Sequence, residues 1–478
     1  MNCLKIIVVT ASLVFVAVLS GCQRAATPSE DGAVGQSDGV VEGVILYDPE
    51  LSYGSYKPKP NDIIISRSHY VDRMQGFWLG QSIANWTGLV TEMDKIAPPF
   101  YTDEHWGRQD QKNIWGNLAS HSELIDFYFV NKGSPWGSDD DTDIEYMYQH
   151  LLDVNNTSIL TGEQIRDGWL KHIYSNENGP SPDLDDPNYP DKRQNYLWVS
   201  NETAYYLMKE GMVPPATSDP ENNKHHMMID AQLTTEIFGL FAPARPDIAL
   251  TMAHLPIRTS AQGDAEYIAE FYVAMYSLAS AVDTQLPIRE QLNWMAMRAR
   301  SMIPSSSYAS KMFDYIEASY HQNSDKSNWE LTRDQVYSHF QMSSDSGYKY
   351  SDPFDAGINF AASLVSLFYG EGDLLKTIKI GTLAGWDSDN PTATWGGLLG
   401  FMLGKEKVAQ AFNQTNLSDT YWIHRTRKNF PDYTLNEEGE DTFTMMAERA
   451  LYIVDRVVLE EMNGGIDLEN GQWFIPRP

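Results

Sequence analysis

Two short acidic segments stand out because their carboxylates lie close enough along the chain to repel one another. The first is "GSDDDTDIEY" at 137–146 and the second is "GWDSDN" at 385–390. Together they contain Asp139, Asp140, Asp141, Asp143, Asp387 and Asp389, with Asn390 directly after the last. Hard divalent cations such as Mg²⁺ are bound by carboxylate, hydroxyl and carbonyl oxygens. The two segments therefore predict a metal centre, in which shared divalent cations, and not Lys or Arg, neutralise the carboxylates.

Each segment by itself permits a plainer interpretation. A single Asp before a helix acts as an N-cap, and one isolated run of Asp favours a solvated loop. The first segment also alternates its acids as a Ca²⁺ loop does, at Asp139, Asp141, Asp143 and Glu145, although the glycine and later glutamate of an EF-hand are absent. The second segment lies between two apolar stretches, which predicts carboxylates at the rim of a buried region. Burying an unpaired carboxylate is very costly, so a counter-ion is expected there.

Other catalytic chemistries lack their sequence motifs. The chain has no G-x-S-x-G elbow, no zinc-type Cys/His spacing and no dinucleotide-binding fingerprint. The segment "GFMLGK" at 400–405 has the wrong spacing for a phosphate loop and follows an apolar stretch, which predicts the C-terminus of a helix instead.

The segments that must position the acids are mostly helical in pattern, which predicts an all-α domain. "DIEYMYQHLLDV" at 143–154 places its apolar residues on one helical face, and Asp373 is a predicted N-cap. Further helices are predicted within 265–282, 357–370, 373–385, 392–404 and 442–462. Only short strands are predicted, at 42–47 and 62–66. The Pro-, Asp- and Asn-rich residues 176–224 predict a long loop insertion.

The N-terminus predicts export and lipid anchoring. Lys5 precedes an apolar core at 6–20, and "LSGC" ends that core at Cys22. This pattern is typical of a bacterial lipoprotein signal at 1–21, cut before a lipid-modified Cys22; the alternative is an uncleaved anchor helix. Small polar residues then predict a flexible tether over 22–44, followed by one domain over 45–478. The expected location is the cell envelope, at the outer membrane.

Charge and cysteine content limit the partners. The sequence contains 35 Lys and Arg against 65 Asp and Glu. Loss of Lys5 with the signal leaves a formal net charge of 34 − 65 = −31. Nucleic acid and anionic headgroups are therefore not expected as partners, since both need clustered positive charge. Cys3 and Cys22 are the two cysteines, so the mature chain has no disulfide. We expect a monomer that is stabilised by its core.

The two acidic segments resemble the paired motifs of the ADP-ribosylglycohydrolase family. That family opens one helix with Thr/Ser-Asp-Asp-Thr and a later one with Gly-x-Asp-x-Asp-Thr/Asn, which "DDDT" at 139–142 and "GWDSDN" resemble. The resemblance implies an all-α fold that holds two divalent ions, Mg²⁺ or Mn²⁺. The implied metal ligands are Asp139, Asp140, Asp141, Asp387, Asp389 and Asn390, with Asp139 standing where the family has Thr or Ser.

The resemblance extends to an opening helix. "GFWLGQSIANWTGLVTEM" at 76–93 has spaced glycines, Gly76 and Gly80, like the family's first helix. Glu92 is the nearest acid, several residues later than the family pattern places it. We take Glu92 and Asp139 as candidates for the catalytic acid or base, against the alternative that Glu92 is an exposed surface acid.

The implied reaction is hydrolysis of an N- or O-linked glycosidic bond to a ribosyl or other sugar, with a small sugar-containing substrate. The predicted export favours an extracellular glycan or a nucleoside-type glycoside over a protein-bound ADP-ribosyl group. Tryptophans near the motifs, such as Trp86, Trp136 and Trp395, suit sugar stacking, although core packing is their commoner use. A sugar-binding surface lipoprotein without catalysis is the alternative from another functional class.

Overall fold

The computed structural model describes residues 46–180, 194–343, 345–436 and 438–477. The predicted signal, Cys22 and the tether lie outside the described residues. The chain divides into two units, Met1–Ser52 and Tyr53–Pro478. In the described part of the first unit, the backbone N–H of Leu51 donates to the Asp48 carbonyl at 3.1 Å and closes a turn.

The described part of Tyr53–Pro478 is built mainly from helices, which confirms the predicted all-α class. In chain order they are α1 Arg67–Gly88, α2 Asp140–Val154, α3 Gly162–His172, α4 Val199–Lys209, α5 Ile237–Phe241, α6 Pro246–Ile257, α7 Asp264–Leu278, α8 Ile288–Arg300, α9 Tyr308–Gln322, α10 Glu330–Val336, α11 Ala356–Gly370, α12 Leu374–Ala384, α13 Asp389–Leu403, α14 Lys405–Ala411 and α15 Phe443–Glu460.

Two small sheets complete the described fold. The strands are β1 Ile63–Ser66, β2 Trp136–Gly137, β3 Thr420–Trp422, β4 Glu440–Thr442, β5 Gly465–Asp467 and β6 Gln472–Ile475. In the first sheet β6 lies between β1 and β5, and both pairs are antiparallel. In the second sheet β3 pairs in parallel with β2 and antiparallel with β4. The second sheet fixes the strand that leads directly into α2.

The central packing contact is between α1 and α13, and it is made through glycines. A Cβ added to Gly76 would lie 2.3 Å from the Gly400 carbonyl oxygen, and one added to Gly80 would lie 2.4 Å from that of Gly396. Such distances are below van der Waals contact, so only glycine lets the two backbones approach so closely. The close approach brings the C-terminal end of α1 against the N-terminal end of α13.

The predicted helices are present, with one difference at α13. Asp373 caps α12 by accepting a hydrogen bond from the Lys376 backbone N–H at 2.8 Å, as predicted. Gly404, with a φ of +84°, ends α13 and confirms the helix C-terminus predicted for "GFMLGK". The helix predicted within 392–404 begins earlier than expected, at Asp389, and includes Pro391 in its first turn. Proline is tolerated in a first turn, where its missing N–H has no intrahelical partner.

Other segment predictions are partly wrong. Residues 176–224 contain the helix α4, so they are not one long loop; residues 181–193 lie outside the described part. The strand predicted at 62–66 is β1, whereas residues 46–47 of the other predicted strand lie in no strand. Among the described residues, no helix combines the length and apolar character that crossing a bilayer requires.

Candidate metal centre

The N-terminal ends of α2 and α13 bring the two acidic segments together. Asp139 directly precedes α2, while Asp140 and Asp141 lie in its first turn. Asp387 precedes α13, and Asp389 is the first residue of that helix. Both helices therefore direct the positive end of their dipole toward the carboxylates, which stabilises negative charge there.

Two groups of three carboxylates form, and they share one member. Glu92, Asp387 and Asp389 each offer one oxygen, and these oxygens lie within 4.8 Å of one another. Asp139, Asp141 and Asp389 form a second group with the same spacing. Oxygen ligands of Mg²⁺ stand about 2 Å from the ion, so oxygens in one coordination shell lie within about 4 Å of each other. Both groups are compact enough to converge on a cation after small rotamer adjustments.

The electrostatics of these groups favour a bound cation. Burial and the charge of Asp139 raise the pKa of Asp389 to about 7. Burial, with repulsion from Asp389 next, raises the pKa of Asp387, Asp141 and Glu92 well above their usual ranges. Asp389 Oδ1 is buried and has no hydrogen-bond partner among the described residues. A donor set made only of oxygens, with an unsatisfied acceptor at its shared member, fits Mg²⁺ or Mn²⁺.

Asp140 is predicted as a ligand but belongs to neither group of three. It is half-buried at the start of α2. Burial, followed by repulsion from Asp139 and Asp389, raises its pKa well above the usual range. Asp140 is therefore repelled by carboxylates of both groups, although it is a member of neither.

Backbone hydrogen bonds bring Glu92 to the site. The Met93 N–H donates to the Trp386 carbonyl at 2.9 Å, and the Trp386 N–H donates to the Lys95 carbonyl at 2.8 Å. Gly385 makes this approach possible, because a Cβ there would lie 2.6 Å from the Lys95 oxygen, and its φ is +100°. Glu92 is half-buried beside Asp387, so it is not the exposed surface acid of the alternative interpretation.

Arginine side chains neutralise two of the aspartates. The expectation that divalent metal ions, and not Lys or Arg, neutralise all these carboxylates is therefore wrong in part. Arg425 Nη1 lies 3.2 Å from Asp139 Oδ1, and Arg427 Nη2 lies 2.9 Å from Asp143 Oδ1. Arg427 and Asp143 are both fully buried. Burial raises the pKa of Asp143 to about 6 although Arg427 opposes the shift. Asp143 is thus paired with Arg427 and belongs to neither group of three carboxylates.

The alternative Ca²⁺-loop interpretation of the first segment is also wrong. Asp141, Asp143 and Glu145 lie on α2, where alternate residues point in different directions around the helix. Glu145 Oε1 accepts from the Ile237 backbone N–H at 2.8 Å, within the core. A coordination loop would need these side chains to converge.

Asn390 lies between the acidic group and the core. Its Nδ2 donates to Asp141 Oδ1 at 3.1 Å, and its Oδ1 accepts from Gln232 Nε2 at 3.1 Å. Both ends of the amide are therefore engaged, which makes Asn390 a positioning residue for Asp141 in this arrangement. Gln232 was not predicted as a site residue, since nothing in its local sequence pattern marks it.

A cavity of about 180 Å³ gives access to this centre and is lined by both Glu92 and Asp139. Trp86 lines it too, with the Arg425 guanidinium 4.9 Å from its ring centroid. His121, another lining residue, contacts the Trp86 ring edge-on at 4.9 Å between centroids. A larger cavity of about 470 Å³ lies beside β1, and none of the predicted site residues lines it.

Comparisons with known proteins bear on the family of this chain. A chain from a solved structure described as "ADP-ribosylglycohydrolase-related protein complex" is similar to this one at 12% identity and a TM-score of 0.45, over 81% of this chain and 99% of that chain. No curated protein matches the sequence. The family model described as ADP-ribosylglycohydrolase matches residues 66–441, which is most of the chain and includes every residue of both acidic groups. Membership of that family supports a function of glycohydrolase type. This chain belongs to the ADP-ribosylglycohydrolase family.

Proposed function

We propose that the protein is a metal-dependent hydrolase of an N- or O-linked glycosidic bond to a ribosyl or other sugar, with a centre for two divalent ions, Mg²⁺ or Mn²⁺. One observation carries the proposal: Asp389 belongs to both groups of three carboxylates and keeps one buried oxygen without a hydrogen-bond partner. A carboxylate shared in this way is suited to bridging two ions.

The chemistry follows from the residues around the cavity. When bound, the divalent ions supply Lewis acidity and hold water and sugar hydroxyls. Cleavage at an anomeric carbon passes through an oxocarbenium-like state, which negative carboxylates stabilise. Glu92 lines the cavity, and burial raises the pKa of its carboxyl well above the usual range, which favours the protonated form that a general acid needs.

Glu92 is a better acid or base than Asp139. Asp139 Oδ2 accepts a hydrogen bond from Asn85 Nδ2 at 3.1 Å, while its Oδ1 contacts Arg425. These two contacts hold the Asp139 carboxylate in one orientation. Asp139 is therefore assigned to binding and Glu92 to proton transfer.

Location is a separate part of the proposal. The apolar core at 6–20 and Cys22 support a lipid-anchored, monomeric protein in the bacterial envelope, at the outer membrane. An exported enzyme would meet external glycosides. A sugar-binding lipoprotein without catalysis is disfavoured by Glu92, because a binder does not need a half-buried proton-transfer group beside the acidic centre.

The test is the double variant Asp387→Ala with Asp389→Ala. It removes the shared carboxylate, so bound metal and hydrolysis of ADP-ribosyl, nucleoside and glycan substrates should both be lost while the thermal unfolding transition remains. Elemental analysis and product chromatography measure the two losses. The matched control removes two exposed acids, Glu210→Ala with Glu469→Ala, and should leave both unchanged. Full turnover in the double variant contradicts the proposal.

A further inference from the structure

Three aromatic rings form a row at the surface, which we call the aromatic row: Trp115, Phe354 and Trp198. The Trp115 and Phe354 centroids are 6.1 Å apart with planes inclined by 22°, and those of Phe354 and Trp198 are 6.4 Å apart with planes inclined by 12°. Trp115 is 52% exposed and Trp198 is 42% exposed. Two half-exposed indoles, each stacked on Phe354, expose apolar ring surface to solvent.

Trp115 is joined to the acidic centre through the backbone. The Ile114 N–H donates to the Met93 carbonyl at 3.0 Å, and Met93 directly follows Glu92. Asn113 and Asn117, on either side of Trp115, line the cavity that also contains Glu92. The first ring of the row therefore stands at the edge of that cavity.

Phe354 and Trp198 approach the same centre from two other segments. Asn359 Nδ2 donates to the Pro353 carbonyl at 2.8 Å, and Asn359 Oδ1 accepts from the Asp387 backbone N–H at 3.1 Å. The Asn359 side chain thus links Pro353, the residue before Phe354, to Asp387 of the acidic centre.

Trp198 directly precedes α4, in which the Ser200 hydroxyl donates to Asp230 Oδ2 at 2.6 Å. Two residues after Asp230, Gln232 Nε2 donates to Asn390 Oδ1 at 3.1 Å, beside Asp389 of the acidic centre. Three separate chain segments thus place the aromatic row beside one acidic centre, which indicates a ligand that extends from the centre onto the rings.

The shape and polarity of the surroundings identify the class of ligand. The C–H faces of sugar rings pack on exposed aromatic faces, and a row of several rings takes more than one sugar unit. The cavity wall next to Trp115 contains the neutral polar side chains of Asn113, Asn117 and Ser120, a polarity that suits sugar hydroxyls.

Charge disfavours a nucleotide in this position. The whole chain carries a formal net charge of −30, so an incoming anion is repelled. Arg425, which lines the cavity, already contacts the Asp139 carboxylate. Apart from Arg425, no Lys or Arg lines this cavity in the described part of the chain, so a diphosphate finds little positive charge there, whereas a neutral glycan needs none.

We propose that the aromatic row binds the neutral sugar rings of an oligosaccharide whose scissile glycosidic bond lies at the acidic centre. This inference rests on the proposed function and narrows its substrate class to a glycoside carrying further neutral sugars. The rings position the chain of sugars, and Glu92 with the carboxylate groups acts on the bond at its end.

Binding measurements on the purified full chain with Mg²⁺ test the inference. Neutral α-1,4- and β-1,4-linked glucose oligosaccharides and ADP-ribose are titrated, with calorimetry and tryptophan fluorescence as readouts. We expect an oligosaccharide to bind, and Trp115→Ala and Trp198→Ala each to weaken that binding about five- to ten-fold. Trp115→Phe and Trp198→Phe keep a flat ring and should retain most of the affinity.

Trp294 on α8 is the matched control, since it is 41% exposed but lies outside the aromatic row. Trp294→Ala should leave oligosaccharide affinity unchanged. The inference is overturned if no oligosaccharide binds, if Trp294→Ala weakens binding as much as the row variants, or if ADP-ribose alone binds and loses affinity in those variants.

The Asp387→Ala with Asp389→Ala protein separates this inference from the proposed function. If the row is a sugar subsite, this protein loses metal and hydrolysis but keeps measurable oligosaccharide binding. Metal binding and hydrolysis of a nucleoside substrate by the natural protein, without oligosaccharide binding, would overturn the inference alone. Oligosaccharide binding that depends on Trp115 and Trp198, without metal or hydrolysis, would overturn the hydrolase proposal alone.

Discussion

Asn390 donates a hydrogen bond from Nδ2 to Asp141 Oδ1 across 3.1 Å, and this bond joins the first turn of α13 to the first turn of α2. Gln232 completes the arrangement by donating to Asn390 Oδ1 at 3.1 Å. The two acidic segments are thus fixed relative to each other by a neutral amide as well as by the packing of their helices. Residues that orient ligands in this way tune metal affinity.

Asn390→Ala should weaken Mn²⁺ binding about 10- to 100-fold, because Asp141 loses the donor that orients it. Titration calorimetry with Mn²⁺ measures the affinity, and circular dichroism verifies the fold. Gln232→Ala should give a smaller loss, since it acts on Asp141 only through Asn390. Equal Mn²⁺ affinity in Asn390→Ala and the natural protein would contradict the assigned role.

Glu92→Gln should lower kcat by about 10²- to 10⁴-fold, the usual contribution of general acid–base catalysis. The amide keeps the size of the side chain and one oxygen, so at least one bound Mn²⁺ should persist. Asp389→Asn is the comparison, because Asp389 belongs to both carboxylate groups and its change should remove metal and activity together. A Glu92→Gln enzyme with normal kcat would reassign the proton transfer to another group.

Gly80→Ala should destabilise the fold by about 1–3 kcal/mol, since its methyl group would lie 2.4 Å from the Gly396 oxygen and force α1 and α13 apart. Denaturant unfolding measures the change. Gly54→Ala is the control, because nothing lies within 4 Å of a Cβ placed there. If both variants unfold at the same denaturant concentration, close helix packing at Gly80 is not needed for stability.

Glu270 on α7 predicts a stability that falls as pH rises. Burial, with repulsion from Glu266, raises its folded-state pKa to about 7, above its ordinary value of 4.5. The folded chain therefore holds this proton more tightly than the unfolded chain, and stability is lost as pH rises from 4.5 through 7.

Glu270→Gln cannot ionise, so it should lose less stability than the natural protein between pH 5 and pH 8, by up to about 3 kcal/mol. Guanidinium unfolding with a chelator present, at both pH values, gives the difference. Glu290→Gln, an exposed change, should follow the natural protein. Parallel profiles for Glu270→Gln and the natural protein would show that Glu270 does not control this dependence.

Local signals explain how much of the fold was predictable. Apolar periodicity predicted α2, α7, α11, α12, α13 and α15, because one buried helical face leaves a period that is visible in a short window. The start of α13 was misplaced, since Pro391 fits inside a first turn as well as before one. Residues 176–224 were taken as a loop because their Pro-rich composition obscured α4.

Charge compensation was harder to predict. Both acidic segments were identified from their composition, but the arginines that pair with Asp139 and Asp143 lie far along the chain, at Arg425 and Arg427. A segment with an excess of negative charge can therefore be partly neutralised by arginines from a distant part of the chain. Asp139 remains in its group of three carboxylates although Arg425 contacts it, whereas Asp143 belongs to neither group.

The sequence by itself determined the helical class, the two acidic segments and the resemblance that joins them, because each depends on residues within a few positions of one another. Only the tertiary structure decided that Glu92 joins Asp387 and Asp389, that Asn390 is held by Gln232, and that the aromatic row forms beside them. The physical reason is that these contacts join segments far apart in the chain. Their distances are set by close packing, above all by the glycines between α1 and α13, and local periodicity carries no information about them.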